Sequence, residues 1–475
     1  MDWLQAPDYW LARLVLQRAL GAVYLVAFLV AARQFVPLLG ERGLLPVPRF
    51  VAAVSFRSAP SLFHLRYSDR LATIAAWTGI ALASIVVIGL PETWPLSLTM
   101  LVWAALWALY LSFVNVGQTF YGFGWETLLL EAGFLAIFLG NATTPPALPL
   151  VILFRWLLFR VEFGAGLIKL RGDSCWRDLT CLYYHHETQP MPNPLSWYFH
   201  HLPKLMHRGE ALGNHVAQLI VPFFLFTPQP LASLAGLVVL VTQSWLMLSG
   251  NFSWLNAITI VLAFSAFDES AFRHVLPIAT PAQTIVPWYD VLVIALTLLV
   301  LALSYWPARN LLSRQQLMNS SFGPLHLVNT YGAFGSVTRE RYEVIVEGTD
   351  GDVGPNALWR EYEFVGKPGD PLRRPPQVAP YHLRLDWLMW FLPLGMPSHE
   401  WFVPFLVRLL VNDVPTLRLL RVNPFADRPP RFVRATLYLY RFSTPGERRE
   451  TKAWWVRRRV GEYVPPVSLR ATETG

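Results

Sequence analysis

The sequence predicts a polytopic α-helical membrane protein of about eight or nine transmembrane helices, followed by a mostly β extramembrane domain. Three observations carry this. The 475 residues are 54% hydrophobic and only 15% charged, where a soluble chain carries about 25% charge, and the mean hydropathy is +0.36. The charge is unevenly placed: residues 71–170 hold little of it, while 339–475 are dense in Arg, Glu and Asp. Finally, a series of apolar runs approaches the ~20 residues needed to cross a ~30 Å hydrocarbon core.

The clearest runs are Leu71–Leu90, uncharged and ending at Pro91, then Leu96–Val116, also uncharged, and Trp288–Trp306. Shorter or polar-flecked candidates begin near Leu14, Thr127, Ala147, Ala211, Leu231 and Trp254. The start, Met1-Asp2-Trp3, is acidic and aromatic, and no small-residue cleavage site follows the first run. That run is therefore expected to stay as an anchor rather than leave as a signal peptide. Trp94, Trp125, Trp288, Tyr305 and Trp306 fall at run ends, where amphipathic rings favour the headgroup level; the alternative for each is plain packing. This divides the chain into a transmembrane part over 1–312, containing a polar loop at 171–210, and an extramembrane part over 320–475.

Nine crossings would put Glu41–Arg70, Arg171–Glu210 and the C-terminal part on one side, with the turns at 91–95 and 141–149 on the other. Arg42, Arg49, Arg57, Arg66, Arg70, Arg309 and Arg314 lie on the first side, which the positive-inside rule would make cytoplasmic. In the C-terminal part, Arg341–Glu347 alternates in character and ends in the turn signal Gly348-Thr349-Asp350-Gly351. Trp359–Val365 and Arg434–Phe442 read as further strands, and Leu385–Leu420 as helix on the membrane surface. Pro-rich stretches at 368–380 and 423–430 read as loops.

Ionisable residues inside apolar segments cost about 2.5–3.5 kcal/mol each on insertion scales. Here Glu126 and Glu131 share one segment, and Arg155, Arg160, Glu162 and Lys169 the next. Arg155, Glu162 and Lys169 are spaced by seven, which on a helix returns to within about 20° of the same face. The stripe is either an ion-pair network that holds helices together or the lining of a polar cavity. Gly164 and Gly166 let another backbone come close to this helix.

Directly after Lys169 the sequence is dense in functional side chains, with Asp173, Cys175, Trp176, Cys181, His185, His186 and Glu187 followed by His200 and His201. The C-x5-C spacing with adjacent histidines does not fit the usual zinc patterns, so no metal and no cofactor is assigned. The chain has two cysteines; they form a disulfide or remain free according to compartment. No P-loop, G-x-S-x-G, dinucleotide fingerprint or H-E-x-x-H is present. Paired broken helices of a transporter are not seen, and no motif supports nucleic-acid binding. The net charge of +8 favours anionic headgroups, so membrane lipids are the expected small partners.

Several long stretches carry a resemblance: Gly124–Phe134, Phe154–Arg160 running on through Gly166–Asp173, Cys175–Pro194, Ser249–Asn256 and Leu327–Glu343. In this order they resemble the lipase maturation factor family, over about residues 10–460. The resemblance implies a multi-pass endoplasmic reticulum protein whose relatives help secreted homodimeric lipases fold and assemble. It also implies a lumenal C-terminal domain, with the client lipase engaged somewhere within 320–475. That placement opposes the arginine count, and is preferred because the positive-inside rule weakens for large translocated domains. It would put Cys175 and Cys181 in an oxidising space. The chain ends Ala471-Thr472-Glu473-Thr474-Gly475, unlike a retention signal. Its abundant Arg, Pro, Trp and Leu suit a GC-rich bacterium, where the equivalent place is the cytoplasmic membrane with a periplasmic C-terminal domain and another exported protein as client. More distantly, the membrane half resembles the transmembrane region of vitamin K-dependent gamma-carboxylases. On that alternative Lys169, followed by Trp176, would be a catalytic base. A maturation factor without catalysis of its own is the preferred expectation.

Overall fold

The computed structural model describes residues 4–272, 276, 278–395 and 400–469; the Met1-Asp2-Trp3 start and the Ala471–Gly475 end read above lie outside them. Each long apolar run becomes a helix whose ends are set by local chemistry. Helix α1 (Trp10–Leu39) has 30 residues, roughly 45 Å of rise. Helix α2 (Asp69–Ile88) begins where Ser68 Oγ accepts from the Leu71 amide, 3.1 Å. It stops at Gly89, whose φ of 85° is open mainly to glycine. Then follow α3 (Leu96–Val116), α4 (Gly124–Ala136), α5 (Leu148–Arg171), α6 (Lys204–Leu219), α7 (Leu231–Ser249), α8 (Leu255–Ala263) and α9 (Pro287–Leu303). Short helical turns fill the loop between α5 and α6.

Among the described residues, five stretches are long and apolar enough to cross a membrane: Pro7–Leu39, Asp69–Ile88, Leu96–Val116, Leu231–Ser249 and Pro287–Leu312. The other candidates differ in kind. Helix α5 has the length, 24 residues, but carries Arg155, Arg160, Glu162 and Lys169. Helices α4 and α8 have 13 and 9 residues, and α6 bears Lys204, His207, Arg208 and Glu210.

Helix α1 is the central post, packing against α2, α3, α4 and α8. Its crossing with α2 is close because Gly79 lies flat on the Phe28 ring, where a Cβ would sit 2.4 Å from ring carbons. Tyr24, Phe28, Trp103, Tyr110 and Phe113 form an aromatic core with edge-to-face contacts. Trp288, Tyr305 and Trp306 are exposed at helix ends, as a headgroup belt requires. Trp125 is not a belt residue: it is buried, stacked on Phe123 and edge-on to His382.

The C-terminal region builds an antiparallel four-stranded sheet in the order β2-β1-β5-β6, from β1 (Arg341–Thr349), β2 (Arg360–Glu361), β5 (Phe432–Phe442) and β6 (Trp455–Val467). A smaller pair joins β3 (Glu363–Phe364) to β4 (Leu420–Val422). The expected strand over Trp359–Val365 is thus two short pieces in different sheets. The expected helical stretch contains α10 (Arg384–Phe391) and α11 (Phe402–Leu410). The alternating pattern of Arg341–Glu347 suggests one wet face, but β1 is buried almost throughout. Its charged face is covered. Arg341 donates to the Pro190 carbonyl (3.1 Å) and to those of Glu187 and Gln189, while Glu343 meets Arg341 at 2.6 Å and Lys367 at 2.8 Å.

The two regions are joined by buried carboxylates of α4. Glu131 pairs with Arg160 of α5 and accepts from the Asn329 amide (2.9 Å) and the Tyr331 hydroxyl (2.7 Å). Arg160 also donates to the Asn329 carbonyl, 2.6 Å. Glu126 pairs with Arg384 at 2.8 Å and takes a short hydrogen bond from Tyr110, with His382 Nδ1 at 3.6 Å. The segment before β1 runs along α5. The Tyr331 carbonyl occupies the space beside Gly164, whereas Gly166 is covered by Leu219 and Gln218 of α6.

Removing one partner of a buried pair strands the other and costs about 3–5 kcal/mol. Arg160→Met is accordingly expected to lower the thermal unfolding midpoint in detergent sharply, and Arg160→Met with Glu131→Gln to recover part of the loss. His382 and His326 are held neutral by burial, each down to about 4. Since that is below the ordinary value of about 6.5, the stability they contribute is complete above pH ~6.5 and is lost as pH falls toward 4. Unfolding midpoints measured from pH 7.5 to 4.5 should fall, and fall less in His382→Asn.

Candidate functional site

Where α5, α6, α7 and α8 meet the loop after α5 and the C-terminal region, they enclose a cavity of about 600 Å³. Its polar groups come from helix faces. On α5, Glu162 accepts from Gln243 of α7 (2.6 Å), and Gln243 in turn accepts from Asn256 of α8 (2.7 Å). One helical turn pair further, Lys169 Nζ donates to Asn214 (2.9 Å) and Gln218 (2.7 Å), both on α6, and stands 5.0 Å over the Trp176 ring. Glu162 and Lys169, seven residues apart, share this chamber. Arg155, seven residues earlier, does not. About 10 Å away along the helix, it donates to the carbonyls of Ser265 (3.0 Å) and Leu225 (3.1 Å) and to the Tyr9 hydroxyl (3.0 Å). Arg155 therefore closes the ends of neighbouring helices.

The loop residues divide in the same way. Trp176, His185 and His186 face the cavity. Asp173 stands behind it, capping the turn Ser174–Arg177 by accepting from the Cys175 amide (3.0 Å) and meeting Arg339 at 2.8 Å. The Arg339 guanidinium pulls its carboxyl down to about 2. Cys175 and Cys181 are joined in a disulfide, so their sulfurs are not metal ligands beside His185 and His186. Glu187 accepts from the Phe442 amide (2.6 Å) and lies 3.7 Å from His200 Nε2, tying the loop to β5; burial pushes its carboxyl up. The His185 ring is buried against Phe334 and Phe252, and burial, with Lys169 nearby, takes it down to about 4.

Sequence reading of α5 and its loop missed the groups that complete the chamber, Asn214 and Gln218, Glu210 with His207 behind it, and Gln243 with Asn256. For the first two pairs the signal was polar residues three or four apart on one helix, which places them on one face; Gln243 and Asn256 lie on separate helices and carry no such spacing. The resulting chamber is walled by aromatic and aliphatic side chains with a few converging polar groups, the usual make-up of a small-ligand site.

Comparison with known proteins gives the identity. Residues 11–274 match the model of the lipase maturation factor transmembrane domain, and residues 327–465 that of the lipase maturation factor C-terminal domain. Lipase maturation factor 1 of Bos taurus is 44% identical over 506 residues, covering 98% of this chain and 90% of that protein. The Homo sapiens protein of the same name is 44% identical over 510 residues, covering 98% and 89%. Lipase maturation factor 2 of Homo sapiens is 28% identical over 596 residues, covering 97% and 83%. No solved structure matches. With its apolar membrane-length helices, the chain is a multi-pass membrane protein and belongs to the lipase maturation factor family.

Proposed function

We propose that this protein is a membrane-bound maturation factor that helps a secreted lipase, or another exported client, reach its active form. The carrying observation is 44% identity over 98% of the chain to proteins named lipase maturation factor 1. Those names lend nothing to the carboxylase-like reading of Lys169. In this proposal the transmembrane part is 1–312 and the extramembrane part 320–475. The client is engaged within 320–475, where β6 is a sheet edge with Arg458 and Arg459 exposed.

Nine crossings are part of the same reading, and the contacts between helix ends support them. The Gln5 amide reaches Asp290 at the start of α9, and Asn141 binds the Trp94 carbonyl, grouping the turns before α1, α3, α5 and α9. At the opposite ends, Gln34 binds the His382 carbonyl, Asn115 that of Pro324, and Asp173 meets Arg339, grouping them with the C-terminal region. Helix α4 and the pair formed by α8 with the turn Phe264–Ala266 then count as short, protein-wrapped crossings, tolerated because their polar groups are buried in the bundle rather than facing lipid. The C-terminal region faces the lumen of the endoplasmic reticulum, or the periplasm of a bacterium. An oxidising space there suits the Cys175–Cys181 disulfide.

The test is the specific activity of secreted lipase, as activity per mass of lipase, from cells with and without this gene. A severalfold fall at unchanged lipase synthesis is the expected result. Equal specific activity, with the protein shown to be expressed in the control, would remove the proposal.

A further inference from the structure

The geometry points to a binding site for one divalent transition-metal ion of the zinc class, formed by His186, His207 and Glu210 at the edge of the cavity. The three come from two elements: His186 from the loop helix Leu182–Thr188, and His207 and Glu210 from α6. On α6 they are three apart, which puts both on one face. Their candidate ligand atoms lie within 4.8 Å of one another. Ligands about 2.1 Å from a tetrahedral ion stand roughly 3.4 Å apart, so small side-chain rotations close the gap.

Three further observations point to a ligand rather than to a packed cluster. His186 and His207 are 1% and 2% exposed, yet among the described residues neither His186 nitrogen has a hydrogen-bond partner, and neither has His207 Nδ1. Leaving such groups buried and unmet is costly, and a cation meets one nitrogen of each ring. His207 and Glu210 are oriented as outer-shell partners orient metal ligands. His207 Nε2 faces the His200 carbonyl at 3.4 Å, which leaves Nδ1 for the ion, and Trp245 Nε1 donates to one Glu210 oxygen at 2.7 Å, which leaves the other. Two imidazoles and one carboxylate form a three-ligand set suited to zinc, with a fourth position open. Both His186 and Glu210 line the cavity, so that fourth position faces the chamber holding Lys169 and Glu162. Bound there, the ion fastens the loop to α6 and offers the chamber a Lewis-acidic contact for an oxygen or nitrogen of its occupant.

The full-length protein, purified in detergent and stripped with a chelator, is titrated with Zn2+ alone and in parallel with Co2+. We expect one equivalent of Zn2+, a rise in the unfolding midpoint, and a Co2+ visible spectrum of tetrahedral intensity. Glu210→Gln and His207→Gln should each weaken binding by more than about tenfold, while His64→Gln, whose ring meets the Val54 carbonyl and Phe56 instead, keeps the stoichiometry. Glu210 is only partly buried, so its variant keeps the test readable if the histidine variant does not fold. No saturable equivalent in the wild-type protein, or equal affinity in folded Glu210→Gln, overturns the assignment.

Discussion

A buried carboxylate without a partner is several kcal/mol too costly to keep, and this constraint organises the molecule. Glu126 and Glu131 both lie inside α4, a helix buried on nearly all sides. Five residues apart, they point about 140° away from each other, so one cation cannot serve both. Glu131 is met by Arg160 and by the 329–331 segment; Glu126 is met by Arg384 with Tyr110 and His382. The C-terminal region thereby supplies donors to both carboxylates and is built into the bundle at two places. Nothing in the described residues separates the two regions by a free linker: the chain after α9 passes directly along α5 to reach β1.

The cavity follows from the same arrangement. Because the 329–337 segment is held on α5 and α10 is held on α4, the loop after α5 is clasped between them, with Asp173 on Arg339 and Glu187 on the Phe442 amide. His185, His186 and Trp176 are turned toward the chamber where α5 presents Glu162 and Lys169. The residues that secure the loop and those that face the chamber alternate along one short stretch, which explains its density of unusual side chains. The disulfide closes the first turn of that stretch.

Much of this was legible in the sequence. The low charge and the apolar runs gave the membrane class, and Leu71–Leu90 and Leu96–Val116 became helices nearly as read. The seven-residue spacing placed Glu162 and Lys169 together because helical periodicity alone decides that. Partners distant in sequence were not legible. Nothing local in Arg384 or Asn329 announces an acidic residue some two hundred positions earlier, and Trp125 resembled a belt residue because its environment is made by His382 and Phe123. Strand β6 was missed since Val456-Arg457-Arg458-Arg459-Val460-Gly461 lacks alternation and Pro465 and Pro466 follow. An edge strand tolerates both. Helices α4 and α8, with 13 and 9 residues, fall short of a membrane span by length, so the expected count of eight or nine does not follow from length and apolarity alone.

The central claim is that the two carboxylates fix the C-terminal region to the bundle as one cooperative unit, and hydrogen exchange read by mass spectrometry tests it most directly. The account predicts that amides in 327–335 and 383–391 exchange as slowly as those of α4 in the wild-type protein. In Glu126→Gln with Glu131→Gln they should exchange far faster, while β1 and β5 stay protected. Rapid exchange of both segments in the wild-type protein, or no change in the variant, would contradict it.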